Sequence, residues 1–174
     1  MTNARILTLT LTILVCLTTL FVRVPLPSRG YFNVGDVAVI FAGFVLGTVA
    51  RRRPLVWGAL AAGLGSAAAD VFGGFALFAP LTLVAKGLEG ALAALAARQS
   101  GRLRWLWAGL GGGAMVATYF AGETLMPSIG LQGALAEVIP NLIQAVGGVV
   151  LGILAFALVE RTGWLRPDPD EDRP

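Results

Sequence analysis

Seven residues stand out from the apolar sequence around them by the chemistry they carry: Asp36, Asp70, Lys86, Glu89, Glu123, Asn141 and Gln144. Lys86 and Glu89 are three positions apart, which puts them on one face of a helix. Such a pair can shuttle a proton, lock two helices together as an internal ion pair, or grip a polar ligand. Asn141 and Gln144 repeat the spacing with amides, which both donate and accept hydrogen bonds and so suit the ring nitrogens and carbonyls of a heterocycle. Glu123 adds an acceptor for a cationic or N–H-rich edge. Asp36 follows Gly35 at the start of an apolar run and is expected as the N-cap of a helix.

Much chemistry is excluded. The chain has no His and one Cys, Cys16, so it cannot form a disulfide, a Cys/His metal site or a nucleophile–His dyad. No Gly-x-x-x-x-Gly-Lys-Ser/Thr loop is present to cradle a nucleotide phosphate. There is no duplicated half with broken helices of the kind many secondary transporters carry. No catalytic residue, metal ligand or cofactor is therefore assigned. An Arg cluster is missing from the polar set, which argues against a phosphorylated ligand.

The elements that must position these residues are membrane helices. Of 174 residues 56% are hydrophobic and 13% charged, and the mean hydropathy is +0.79, beyond what a soluble domain hides. Apolar runs cover about 6–22, 36–50, 55–72, 80–97, 106–125 and 138–159, against the roughly 17–25 residues a span requires. The second run is short and is expected to be tilted, thinly covered or partly re-entrant. The first has no small-x-small cleavage site after it and is read as a retained helix. Ten of the thirteen Lys and Arg fall at the two ends or in alternate breaks: Arg5, Arg51, Arg52, Arg53, Arg98, Arg102, Arg104, Arg161, Arg166 and Arg173. This bias predicts an all-α bundle of six transmembrane helices with both termini in the cytoplasm. It also accounts for the net charge of +3 without a nucleic-acid partner.

Residues 1–166 are expected to form the bundle and 167–174 a disordered cytoplasmic tail, rich in Pro and acids. The outer breaks, 23–35, 73–79 and 126–137, are longer than the basic ones and suggest a lid. Counted from the outer helix ends, Lys86, Glu123, Asn141 and Gln144 fall in the outer third of the membrane. Gly43-xxx-Gly47, Gly109-xxx-Gly113 and Gly148-xxx-Gly152 are spaced for close helix approach. Ala4, Thr8 and Thr12 form a small-residue stripe on the first helix, able to meet a partner protein or a neighbouring helix.

Two stretches carry a family resemblance. Tyr31-Phe32-Asn33-Val34-Gly35-Asp36 with the helix that follows, and Gly65-Ser66-Ala67-Ala68-Ala69-Asp70 continuing to Lys86-Gly87-Leu88-Glu89-Gly90, resemble energy-coupling-factor (ECF) transporter S components of the riboflavin-type branch. The resemblance implies a prokaryotic plasma-membrane subunit that captures a vitamin or vitamin precursor, riboflavin- or thiamine-related, from outside. It implies partners in a membrane coupling subunit and two ATP-binding subunits. It implies ligand contacts from the first loop (Asn33), helix 4 (Lys86), helix 5 (Glu123) and helix 6 (Asn141, Gln144), with docking through Ala4, Thr8 and Thr12. The sequence departs from the family pattern in Thr8 and Thr12 on a face usually Ala-rich, and in Gln144 where a flavin carrier would have Lys. A scaffold subunit with a purely structural polar cluster, or an intramembrane enzyme, are the other classes these residues allow.

Overall fold

The computed structural model describes residues 4–25 and 31–165, with the side chains of Arg23–Pro25 and Tyr31–Asn33 outside the description. Six helices run in chain order: α1 (Ala4–Phe21), α2 (Gly35–Val49), α3 (Pro54–Phe72), α4 (Ala79–Ala97), α5 (Gly101–Leu125) and α6 (Gly130–Arg161). Between α1 and α2 lies a small antiparallel hairpin, β1 (Arg23–Pro25) with β2 (Tyr31–Asn33), in the register Arg23↔Asn33 and Val24↔Phe32. That hairpin is an addition to the all-α expectation. Four helices, α1, α3, α4 and α6, are long and apolar enough to cross a membrane; α2 has 15 residues, and α5 has the length but a sequence diluted by Gly and Arg.

The bundle has two unlike ends. The α2–α3 and α4–α5 connections and the last turn of α6 carry Arg51–Arg53, Arg98 and Arg161; this is the arginine end. The α1–α2 hairpin and the α3–α4 and α5–α6 turns make the hairpin end.

α2 is the hub. Eleven of its 15 residues are buried, and it touches α1, α3, α4 and α6. A helix apolar on all sides is one surrounded by protein, which is why this stretch shows no amphipathic period. Close approach follows from small residues. A Cβ on Gly43 would sit 2.5 Å from the Ala93 Cβ and 2.7 Å from the Gly90 carbonyl, and one on Gly148 of α6 would sit 2.5 Å from the Asp36 Cβ. The expected Gly43/Gly47 and Gly148/Gly152 contacts are therefore real, the first on α4 and the second on α2. The Gly109/Gly113 expectation is corrected: nothing lies within 4 Å of a Cβ at either, and α5 instead approaches α6 through Gly112, 2.9 Å from the Ala145 Cβ. Gly109 and Gly113 lie on the outward face of their helix.

Apolar and polar burial separate along the axis. The arginine half holds the hydrophobic core, from Leu7, Leu11 and Val15 through Val39–Leu46 to Ile153 and Phe156. There the Phe44 and Phe156 rings pack 5.2 Å apart, with the Arg104 guanidinium 5.9 and 6.0 Å from their centroids. Arg98 closes α2, its Nε donating to Gly47 O at 3.1 Å and its Nη2 to Ala50 O at 2.9 Å, satisfying carbonyls the helix end leaves open. The hairpin half holds most of the buried polar groups, Asp36, Asp70, Lys86, Glu89, Glu123, Glu137, Asn141 and Gln144 among them.

Two expectations about the connections are corrected. α6 starts at Gly130 instead of near residue 138, so the α5–α6 turn is only 126–129 and cannot be a long lid. α5 starts at Gly101, so Arg102 and Arg104 are helical. Gly130 adopts φ +66°, which lets the chain turn sharply into α6 in place of the long break expected over 126–137. The tail at 167–174 lies outside the described residues.

Gly148→Ala is expected to destabilise the protein by about 1–3 kcal/mol, because the added methyl collides with Asp36 at the start of α2. Gly109→Ala, which meets nothing, is expected to be neutral or to stabilise by up to about 1 kcal/mol through helix propensity. Thermal denaturation of both variants in one detergent checks the contrast.

Candidate functional site

α2 begins deep inside the bundle. Asp36, in its first turn, lies against Gly148 of α6, and its carboxylate Oδ1 accepts from Lys86 Nζ of α4. Lys86 also donates to Glu89 Oε2 at 3.3 Å, one helical step along its own face. All three are buried, with Asp36 at 1%, Lys86 at 4% and Glu89 at 0% exposure. Asp36 is thus not the N-cap expected of it: that position belongs to Val34, whose side chain makes no cap hydrogen bond. A negative charge in the first turn still complements the positive end of the helix.

Tyr119 of α5 joins this group. Its hydroxyl donates to Thr82 Oγ1 at 2.9 Å, its ring lies 5.7 Å from Lys86 Nζ, and it feels the charge of Asp70 on α3. The polar set therefore ties α2, α3, α4 and α5 at one depth.

A second polar group lines the α5–α6 seam nearer the hairpin end. Glu137, Asn141 and Gln144 follow one another at intervals of four and three, one face of α6, and all three are buried. Gln144 Nε2 donates to Asn141 Oδ1 at 3.2 Å. Glu123, two residues from the end of α5, is 3% exposed and feels the charge of Glu137. Among the described residues its Oε2 has no hydrogen-bond partner. Cβ atoms tilt toward the helix N-terminus. Because α5 and α6 are antiparallel, Glu123 leans into the bundle while Asn141 and Gln144 lean toward the hairpin end, and the two sets converge.

The sequence-expected residues thus fall into different situations. Glu123, Asn141 and Gln144 share the α5–α6 seam. Lys86 sits one layer away with its ammonium engaged by two carboxylates. Asn33 pairs through its backbone with Arg23 in the hairpin, and β2 touches α6; the Asn33 side chain is outside the described residues. Gln144 is near the midpoint of the 32-residue α6, so the polar set reaches to mid-depth and not only the outer third.

The α1 stripe points inward. Thr8 is buried and Thr12 half-buried, their hydroxyls donating to Ala4 O at 2.6 Å and Thr8 O at 2.8 Å, and the Thr12 carbonyl lies against Gly65 of α3. Of the alternatives the stripe allowed, a neighbouring helix is what meets Thr8 and Thr12. The exposed face of α1 is Ile6, Leu9, Ile13 and Leu17.

Glu137 and Thr82 were not read as site residues from the sequence, and Tyr119 was read only as one of several aromatics near the outer loops able to stack on a flat ligand or sit in an interfacial belt. Glu137 was hidden by the assignment of 126–137 to a loop, although its four-residue spacing to Asn141 was visible. Tyr119 likewise stands four residues before Glu123 on one face.

Lys86→Met is expected to cost about 3–5 kcal/mol, because it leaves Asp36 and Glu89 buried without their counter-charge. Glu89→Gln keeps the Lys86–Asp36 pair and is expected to cost less. Equilibrium unfolding in detergent would show the order; a Lys86→Met variant as stable as the parent would contradict it.

Against known proteins, residues 6–161 match a family model described as "ECF-type riboflavin transporter, S component". A protein of Pyrococcus woesei, described as an uncharacterized protein in a gap 3' region, is 37% identical over 153 residues, spanning 86% of this chain and 97% of that protein.

Proposed function

We infer the task from the kind of protein: the chain belongs to the S components of ECF-type riboflavin transporters, which are membrane-embedded transporter subunits and not enzymes. We propose that this member captures a vitamin or vitamin precursor, riboflavin- or thiamine-related, at the hairpin end, between the α5–α6 seam and the hairpin. The observation that carries the reading is the axial separation of the core. Protein interiors bury apolar groups, and polar groups placed in the bilayer carry a cost that needs a function. Here that cost is concentrated in the half of the bundle where α2 stops short and where Glu123 has a buried carboxylate oxygen with no hydrogen-bond partner among the described residues. Mostly apolar surroundings with a few oriented polar groups are what a small-molecule site requires.

The arginine bias supports an orientation with the arginine end in the cytoplasm and the hairpin end outside the plasma membrane of a prokaryotic cell. Both termini then lie inside. The partners proposed are the ECF coupling subunit and its two ATP-binding subunits, because the chain contains no nucleotide-binding loop of its own. The surface α1 offers to such a partner is the apolar face of Ile6, Leu9 and Ile13 beside Ala4, with Thr8 and Thr12 setting how closely α1 sits on α3.

Native mass spectrometry of protein purified from rich medium tests this. A bound small molecule at one per protein is expected, lost in Glu123→Ala and in Asn141→Ala while both variants stay folded. A protein that carries no small molecule and is not thermally stabilised by any vitamin would favour a scaffold role.

A further inference from the structure

The arginine end carries more positive charge than its neighbours balance. Arg5, Arg51, Arg52, Arg53, Arg98, Arg102, Arg104 and Arg161 gather there against a single carboxylate, Glu160, among the described residues. Arg98 is engaged by the carbonyls that close α2, and Arg104 by the Phe44 and Phe156 rings. Arg52 and Arg53, in the short connection between Val49 and Pro54, are exposed, and neither forms an ion pair with a described residue. The acids that could balance them are collected in one stretch: Asp168, Asp170, Glu171 and Asp172, flanked by Arg166 and Arg173.

The fold delivers that stretch to the arginines. α2 and α6 run parallel and stay in step: Gly148 meets Asp36, Gly152 meets Ile40, and Phe156 packs on Phe44. One further step brings Glu160 level with Thr48, so α6 ends beside the α2–α3 connection. Gly163, at φ +79°, reverses the chain after Thr162, and Leu165 returns to the apolar core at 9% exposure. The chain therefore continues from the core of the arginine end and not from a helix pointing away from it. Neighbouring helix axes lie about 8–10 Å apart, and three extended residues beyond Leu165 span about 10 Å, which puts Asp168 within reach of Arg52 and Arg53.

We propose that the acidic segment 168–172 docks in cis on Arg52 and Arg53 and covers the arginine end. Guanidinium groups bind carboxylates through paired N–H donors, a geometry that suits them to this partner. Pro167 and Pro169 bias the residues before them toward extended backbone, which lowers the entropy lost on docking. So short a tether holds the acids at a local concentration on the order of millimolar. The competing occupant is an anionic lipid headgroup, because Trp105 and Trp164 are exposed at the same end and suit a membrane interface. Headgroups lack the tether, and an anionic leaflet repels four carboxylates wherever arginines do not hold them. The docked segment screens Arg52 and Arg53, and an acidic partner must displace it to reach them.

Pulsed EPR of the full chain tests this. Nitroxides are attached through Ser100→Cys, at an exposed position that makes no cap hydrogen bond, and Pro174→Cys, in a Cys16→Ser background. In nanodiscs of zwitterionic lipid at low salt, a narrow distribution of short distances is expected. Arg52→Glu with Arg53→Glu is expected to abolish the narrow component, and adding Asp170→Arg with Glu171→Arg to restore it. The narrow component is expected to persist in nanodiscs containing phosphatidylglycerol. A broad distribution in the parent, or a narrow one that the double Arg→Glu change leaves intact, would overturn the proposal. Loss of the narrow component on adding phosphatidylglycerol would overturn it in favour of lipid headgroups as the occupant.

Discussion

The structure depends on one buried ammonium. Lys86 sits between Asp36 and Glu89, and through Asp36 it fixes where α2 begins. A buried ion pair of this sort is weak evidence for net stability, because desolvation offsets much of the attraction. Its effect is on specificity: once Asp36 must reach Lys86, α2 has a single depth at which it can start. Gly148 lets α6 approach at that point, and at the opposite end Arg98 holds the last carbonyls of the same helix. The shortest helix is thereby pinned at both ends in the middle of the bundle.

Consequences run outward from that placement. With α2 confined to 15 residues, the apolar core gathers in the arginine half around Phe44 and Phe156. The hairpin half is left to the end of α1, to α3–α6, the hairpin and their polar side chains. Polarity that would be costly in a uniform apolar bundle is thus concentrated in one region, and the α5–α6 seam, where a Glu123 carboxylate oxygen has no hydrogen-bond partner among the described residues, is the part of it we propose as the ligand site.

Much of this was legible in the sequence. Helix number followed from the apolar runs together with the alternation of the Arg-bearing breaks, α3 and α4 were found to within a residue at each end, and the pairing of Lys86 with Glu89 followed from three-residue spacing. Long-range partners were not legible. Nothing local connects Asp36 with Lys86, fifty positions away, so Asp36 read as a cap. Gly and Pro misled at 126–137, which read as a loop although α6 already starts at Gly130; Pro140, inside the sixth apolar run, is accommodated within α6. Small-residue spacing identified which residues can permit close approach but not which face turns inward, so Gly109 and Gly113 read like Gly148 and Gly152 although only the latter pair meets a neighbour.

The central claim is that the hairpin half above the start of α2 is the place where a small molecule is held. An experimental structure of the protein purified from rich medium, at a resolution that shows small molecules, tests it most directly. The account predicts density for a ring-sized molecule between the α5–α6 seam and the hairpin, in contact with Glu123 and Asn141 and clear of the Lys86–Asp36 pair. Density at the arginine end, or a hairpin half filled entirely by the protein's own side chains with Glu123 satisfied by one of them, would contradict it.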